Sequence, residues 1–371
     1  MKWNKLRRSY LWGAPGLVHQ LFDAPIPSVE RTRVETDIPP GLTERIAESY
    51  TTVRRDHATP FLYFDQHKSL VDALERADLA EVERQLRDLF VGEVVGAMGD
   101  IESYYFGRHV WRPGFHQLLM TDRLLNLGEA LGVLPRANHT QLKMDEYVEA
   151  MHADQVKLFA DIEDTLGFSL EMPLIGNPPI FRFGDRATSA DMVRHAYVAE
   201  RMRRLGIALT EPVLEIGGGF GSLALLARRA GFTDYTIVDL PVVNAMQTFF
   251  LGCALGPDEV SGYGEADAKF RLLPPPCLSE IPDKSVGIVV NVDSFPEIER
   301  AVALDYLQEI KRVGHVLLSI NQEARAPNRV FNASQTIVHE LIHEVGGFER
   351  VYRFPYWMME GYVEELYRIT G

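Results

Sequence analysis

The sequence predicts an α/β protein: a parallel sheet with helices on both faces, residues 186–371, preceded by a mostly helical domain, residues 1–185. Three observations predict it. Beyond about residue 186 short apolar runs alternate with helical stretches, as in a parallel sheet joined by crossover helices. Before that point apolar residues recur at helical spacing. One strand-like run also passes directly into a glycine-rich turn and a helix, a common way to build a ligand loop at the carboxyl edge of a sheet.

In the first domain, SLVDALERADLAEVERQLRDLFVG (69–92) and KMDEYVEAMHADQVKLFADIEDTLG (143–167) read as helices. In the second run Met144, Tyr147, Met151, Phe159, Ile162 and Leu166 form one stripe, read as core. Proline-rich breaks occur at DIPPG (37–41) and IGNPPIFRFGD (175–185), and the second is the expected domain boundary. TSADMVRHAYVAERMRRLG then has Thr188 and Asp191 in capping-box spacing, a helix start. Strands are expected at PVLEI, YTIVD, EVSGY, VGIVVNV and HVLLSI. FERVYRFPYW and YVEELYRIT are expected to pair as an antiparallel hairpin at one sheet edge.

A formal net charge of −14 disfavours nucleic acid, whose binders present a basic face, and favours a small-molecule partner. RMRRL (201–205) and ARR (227–229) read as solvated helix faces. No run of 18 apolar residues occurs, and the basic N-terminus does not read as a secretory signal. Two cysteines, Cys253 and Cys277, stand in no metal-type spacing. A cytoplasmic protein with free thiols is expected.

The informative stretch is EPVLEIGGGFGSLALLARRAGFTDYTIVDLP (211–241). Gly217, Gly219 and Gly221 follow a strand, and glycine permits positive φ and close backbone approach to a ligand. Asp239, at the end of the next strand, can accept hydrogen bonds from ribose hydroxyls, so a nucleoside ligand is expected. No Gly-Lys-Ser/Thr of a phosphate loop is present, and the third site of the dinucleotide fingerprint is Ser222. Glu215, just before the glycines, would repel a pyrophosphate and attract a cationic amino-acid tail. The residues therefore favour S-adenosylmethionine over NAD.

VLEIGGGFGSLALLA, YTIVDLP and NVDSFPEI together resemble the class I S-adenosylmethionine-dependent methyltransferases, which have a Rossmann-like sheet. IGNPP and FPYWMMEGYVEELYRI extend the likeness to the sugar O-methyltransferases of bacterial polysaccharide and natural-product pathways. The resemblance covers about residues 175–371 and implies cofactor contacts from Glu215, Gly217, Gly219 and Asp239. Gly221 and Leu240 belong to the same motifs. It also implies an acid beside the adenine in GEADAKF, for which Asp267 is the candidate, with a solvated loop acid as the alternative. The expected acceptor is a sugar-like hydroxyl.

Methyl transfer to a hydroxyl needs in-line alignment and a base or a cation. The run NVDSFPEIER brings Asn291, Asp293 and Glu297 to the carboxyl edge; Asp293 is the first choice for the base, or else a helix cap. Phe295 reads as core more readily than as a ligand contact. Asn321 and Glu323 share that rim, where Asp293 and Glu323 could hold a divalent cation for which no third ligand is identified. HELIHEVGG spells His-Glu-x-x-His through His339, Glu340 and His343, the ligand spacing of zinc hydrolases. Asn332 is the expected cap of that helix and Gly346 its end. Ile337, Val338, Leu341, Ile342 and Val345 make its apolar face, leaving the histidines on the far side. A polar helix face is the default, and His339 acting as the base is an intermediate reading. His109, His116, His152, Arg108 and Arg112 lie in or near an aromatic-rich run and could contribute to a lid over a sugar. The N-terminal domain is expected to cover the acceptor, to mediate dimerisation, or both. Three alternatives stand beside this reading: an NAD-dependent oxidoreductase, a zinc hydrolase, and a non-catalytic protein that retains the cofactor fold.

Overall fold

The computed structural model describes residues 28–57, 65–92, 94–95, 113–135, 154–323 and 336–370. Eight strands form one twisted sheet: β4 (Val213–Ile216), β5 (Tyr235–Val238), β6 (Val260–Ser261), β7 (Phe270–Leu273), β8 (Val286–Val292), β9 (Gly314–Gln322), β10 (Phe348–Pro355) and β11 (Tyr362–Ile369). Their order is β10-β11-β9-β8-β4-β5-β7-β6. The strands from β6 to β9 pair in parallel; β11 runs antiparallel between β9 and β10. Leaving aside the two-residue edge strand β6, the parallel part places its third strand (β7) outside the second (β5), its fourth (β8) beside the first (β4) and its fifth (β9) outside that, so the crevice opens above β4 and β8, where the order reverses. A dinucleotide fold continues past its fifth strand with a parallel sixth. Here the neighbour of β9 is reversed.

Both faces of the parallel part are covered, as the composition of its central strands requires. Val213, Tyr235 and Ile237 pack on one side with α6 (Ala190–Arg204), α7 (Ser222–Arg229) and α8 (Pro241–Leu255). Leu214, Ile216 and Val289 pack on the other with α9 (Arg300–Val313) and α10 (Val338–Val345). Residues 241–252 of α8 are buried all round, because α1 (Leu42–Asp56) covers the face that the sheet does not. A Cβ on Gly252 would stand 3.0 Å from Leu42 Cδ1.

Among its described residues the N-terminal region is mostly helical, as expected, with differences in detail. The 69–92 run is two helices, α2 (Lys68–Glu75) and α3 (Leu79–Arg87), broken at Ala77 (φ +50°) and restarted by Asp78, whose side chain accepts from Glu81 N–H. The helix expected over 143–167 is described as α5 (Gln155–Leu166), with Phe159, Ile162 and Leu166 buried; Met144, Tyr147 and Met151 lie outside the described residues. A further helix, α4 (Pro113–Leu131), was not read from the sequence. A small sheet, β1 (Ser28–Arg31), β2 (Pro179–Phe183) and β3 (Arg186–Thr188), also went unread. The expected boundary after residue 185 falls in the turn between β2 and β3, which pair antiparallel. Residues from α1 to β11 share one apolar cluster across that position.

IGNPP is a staple. Asn177 donates to the Arg87 carbonyl and Asp88 and accepts from Val34 N–H, tying three segments together. Thr188 is not the cap of α6: its hydroxyl donates to the Leu170 carbonyl, and Ser189 caps the helix through Met192 N–H. In the basic runs Arg203 and Arg204 are exposed, as a solvated face requires, whereas Arg201 and Arg229 are internal ties. Arg201 donates to the buried Glu364, and Arg229 donates to the carbonyls of Ser169 and Glu171. No helix among the described residues is long and apolar enough to cross a membrane. Both cysteines are free.

Candidate cofactor and acceptor cavity

A cavity of about 450 Å³ opens at the carboxyl ends of β4, β5 and β8. Its floor is the glycine turn. Gly217 (φ +73°) and Gly219 (φ +56°) are left-handed, and a side chain at 217 would collide with Ser294. Gly218 is required for space instead, since a Cβ there would stand 2.8 Å from Ile237 Cγ2. Asp239 clamps the turn: Oδ2 accepts from Gly218 N–H (2.9 Å) and Gln247 (3.0 Å), and Oδ1 accepts from Leu240 N–H (2.8 Å). The Gly219 N–H also acts on this carboxyl. Burial raises Asp239 to about 7 against those hydrogen bonds.

Glu215 lies under Gly218 at 2% exposure and accepts the Tyr235 hydroxyl at 2.9 Å. Burial pushes it to about 8, with Asp239 adding repulsion. Burial thus favours its neutral form, a qualification to the expected charge. A cation brought near would draw its proton off.

The other wall comes from separate segments. Asp293 follows β8, with Ser294, Glu297 and Ile298 after it; Arg194 and His195 come from α6, Tyr306 from α9, and Gln66 from the N-terminal region. Burial raises Asp293 to about 6, while Arg194 and a hydrogen bond from Tyr362 lower it. His195 contacts Ser222 Oγ at 2.6 Å, and burial holds its imidazole well below the ordinary value.

The cavity thus gathers Glu215, Gly217, Gly219, Asp239, Leu240 and Asp293. Five expected residues stand elsewhere. Gly221 (φ +101°) is the N-cap of α7, a backbone requirement of the helix start. Asn291 is buried and ties β8 to β4 by donating to the Ile216 carbonyl. Asp267 is exposed and precedes β7. It was misplaced because β7, not the EVSGY run, is the neighbour of β5, and β7 is followed by prolines. Glu323 is engaged by Arg353 (2.7 Å) and His339 (2.8 Å) outside the cavity, so neither Glu323 nor His339 lines it. Glu323 is thereby also removed from a cation shared with Asp293.

Glu340 and His343 are exposed on α10, and no group of three His, Cys, Asp or Glu among the described residues could hold a metal ion. Gly346 does end α10, whereas its N-cap is Ile337; Asn332 lies outside the described residues. Phe295 is core. Of the aromatic-rich run, His109, Arg108 and Arg112 lie outside the described residues, as does His152, and the side chain of His116 is not described.

Arg194, His195, Tyr306 and Tyr362 were missed. Each sits in a segment whose local pattern signals only a helix or a strand; topology alone brings the first three to the cavity and Tyr362 to Asp293.

No family model matches the chain, and no curated protein matches it. Solved structures with a similar fold include geranyl diphosphate C-methyltransferase from Streptomyces coelicolor A3(2), in complex with Mg2+, geranyl diphosphate and S-adenosyl-L-homocysteine. It is 12% identical, with a TM-score of 0.37 over 47% of this chain and 80% of that one. Another is magnesium protoporphyrin IX methyltransferase from Synechocystis PCC 6803 with bound SAM, 14% identical, with a TM-score of 0.34 over 47% of this chain and 76% of that one.

Proposed function

We propose that the chain transfers a methyl group from S-adenosylmethionine to a hydroxyl of a sugar or glycosylated small molecule. The observation that carries this reading is the cavity floor: left-handed Gly217 and Gly219 and the clamped Asp239, above a buried Glu215. Glu215 suits an ammonium group, whose charge favours its ionised form, and offers a diphosphate no countercharge. The reversed β11 also weighs against a dinucleotide fold.

In this reading the turn receives the methionine portion and Glu215 its ammonium. Asp239, at the cavity wall, takes a ribose hydroxyl. Leu240 and Val243 offer apolar contact to the base. Asp293, ionised above about pH 6, takes the proton of the acceptor hydroxyl. That oxygen forms the new C–O bond, the C–S bond breaks, and the sulfonium leaves as a neutral thioether. The mostly helical N-terminal domain, residues 1–185, would close over the acceptor, mediate dimerisation, or both; Gln66 at the cavity wall supports the first role.

The test is transfer of a labelled methyl group from S-adenosylmethionine to a panel of glycosides and nucleotide sugars. Incorporation into one class supports the reading. Tight cofactor binding with no incorporation into any acceptor favours a binding protein, and no cofactor binding removes the reading altogether.

A further inference from the structure

Asp293 has a left-handed backbone (φ +61°), uncommon for a residue other than glycine. Its N–H donates to the Ile320 carbonyl of β9 at 2.9 Å, which fixes the bend. Oδ2 accepts the Tyr362 hydroxyl at 2.7 Å, and Arg194 Nη1 lies 3.9 Å from the same oxygen. Arg194 is itself held, donating to Asp191 at 2.7 Å while its carbonyl accepts from Tyr356 at 3.2 Å.

Strand direction explains why a C-terminal tyrosine reaches this point. Tyr362 opens β11 opposite Gln322, the last residue of β9. Because β11 is reversed, its beginning lies at the rim where the parallel strands end. A parallel strand in that place would have sent its first residue to the opposite rim.

We propose that Tyr362 and Arg194 are positioning residues for the acceptor base: they hold Asp293 by Oδ2 and favour its ionised form, leaving Oδ1 to receive the proton. The source of that proton rests on the methyltransferase reading; the hold on Asp293 does not. The charged and titratable groups facing the pair are Arg194 and Asp191 from α6, Tyr362 from β11, and Glu297 from the turn after β8. Burial and Asp191 oppose ionisation; Arg194 and Tyr362 favour it. Removing the hydroxyl of Tyr362 therefore raises the midpoint of Asp293.

The experiment is a carbon-13 titration of the full chain labelled at aspartate carboxyls, with Asp293→Asn assigning the resonance. In Tyr362→Phe the Asp293 midpoint should rise by on the order of one pH unit, and in Arg194→Gln it should move the same way. In the methyl-transfer assay the acid limb of Tyr362→Phe should shift upward equally, with the rate restored to within a few-fold of the parent at pH 9. A purely structural role would lower the rate at every pH. An unmoved midpoint in both variants overturns the proposal. Absence of transfer to any acceptor, with the midpoints shifted, overturns the base role and the reaction but leaves the hold on Asp293 standing.

Discussion

The glycine-turn end of the cavity and the Asp293 end are built in opposite ways. The first comes from one continuous stretch, β4 to the start of α8, and works largely through backbone: positive φ at Gly217 and Gly219, and amide hydrogens fixed by Asp239. The second works through side chains from three distant segments, Arg194, Asp293 and Tyr362. A backbone site tolerates few substitutions but leaves a mark in the sequence. A side-chain site leaves no such mark, since any helix or strand can carry an arginine or a tyrosine. The two ends should therefore fail differently when altered.

The largest effect is expected at Gly217→Val, where left-handed backbone and the collision with Ser294 act together. Strain of ~1–3 kcal/mol is expected in thermal unfolding, along with loss of measurable S-adenosylhomocysteine binding. Binding within a few-fold of the parent would show that the turn does not meet the cofactor.

Asp293→Asn should separate the two ends. Turnover should fall by roughly 10²–10⁴-fold while S-adenosylhomocysteine affinity by calorimetry holds within about two-fold. Parent turnover would take Asp293 out of the chemistry, and lost affinity would merge the ends into one.

Glu215→Gln sharpens the comparison through pH. A carboxyl raised by burial keeps a proton that the unfolded chain releases, so its contribution to stability falls as pH rises from its ordinary value toward about 8. Glu215→Gln should therefore melt higher than the parent at pH 8, by a few degrees. Cofactor binding to the parent should tighten as pH rises toward 8, because the ammonium displaces a proton, and this dependence should flatten in the variant. The smallest effect is expected at His343→Ala on the exposed side of α10: within about 0.5 kcal/mol in stability and no change in methyl transfer.

This contrast also accounts for what was legible in the sequence. The alternation of strands and helices, the terminal hairpin and the glycine turn could be read because each is a local pattern. β7 was overlooked because FRLL is short and prolines follow it, and that omission carried Asp267 to the wrong place. Glu323 and His339 were correctly set on the rim strand and the following helix, and they do meet, but at a corner with Arg353 rather than in the cavity. The position of a residue along a strand can be read from sequence; which of its neighbours engages its side chain depends on the tertiary packing.

The most direct test of the central claim is paired calorimetry on the full chain, titrating S-adenosylhomocysteine and NAD into the parent and Asp239→Ala. The expected result is one S-adenosylhomocysteine per chain, a heat that varies with the ionisation enthalpy of the buffer, binding weakened at least several-fold in Asp239→Ala, and no heat from NAD. Saturable binding of NAD with none of S-adenosylhomocysteine would contradict it.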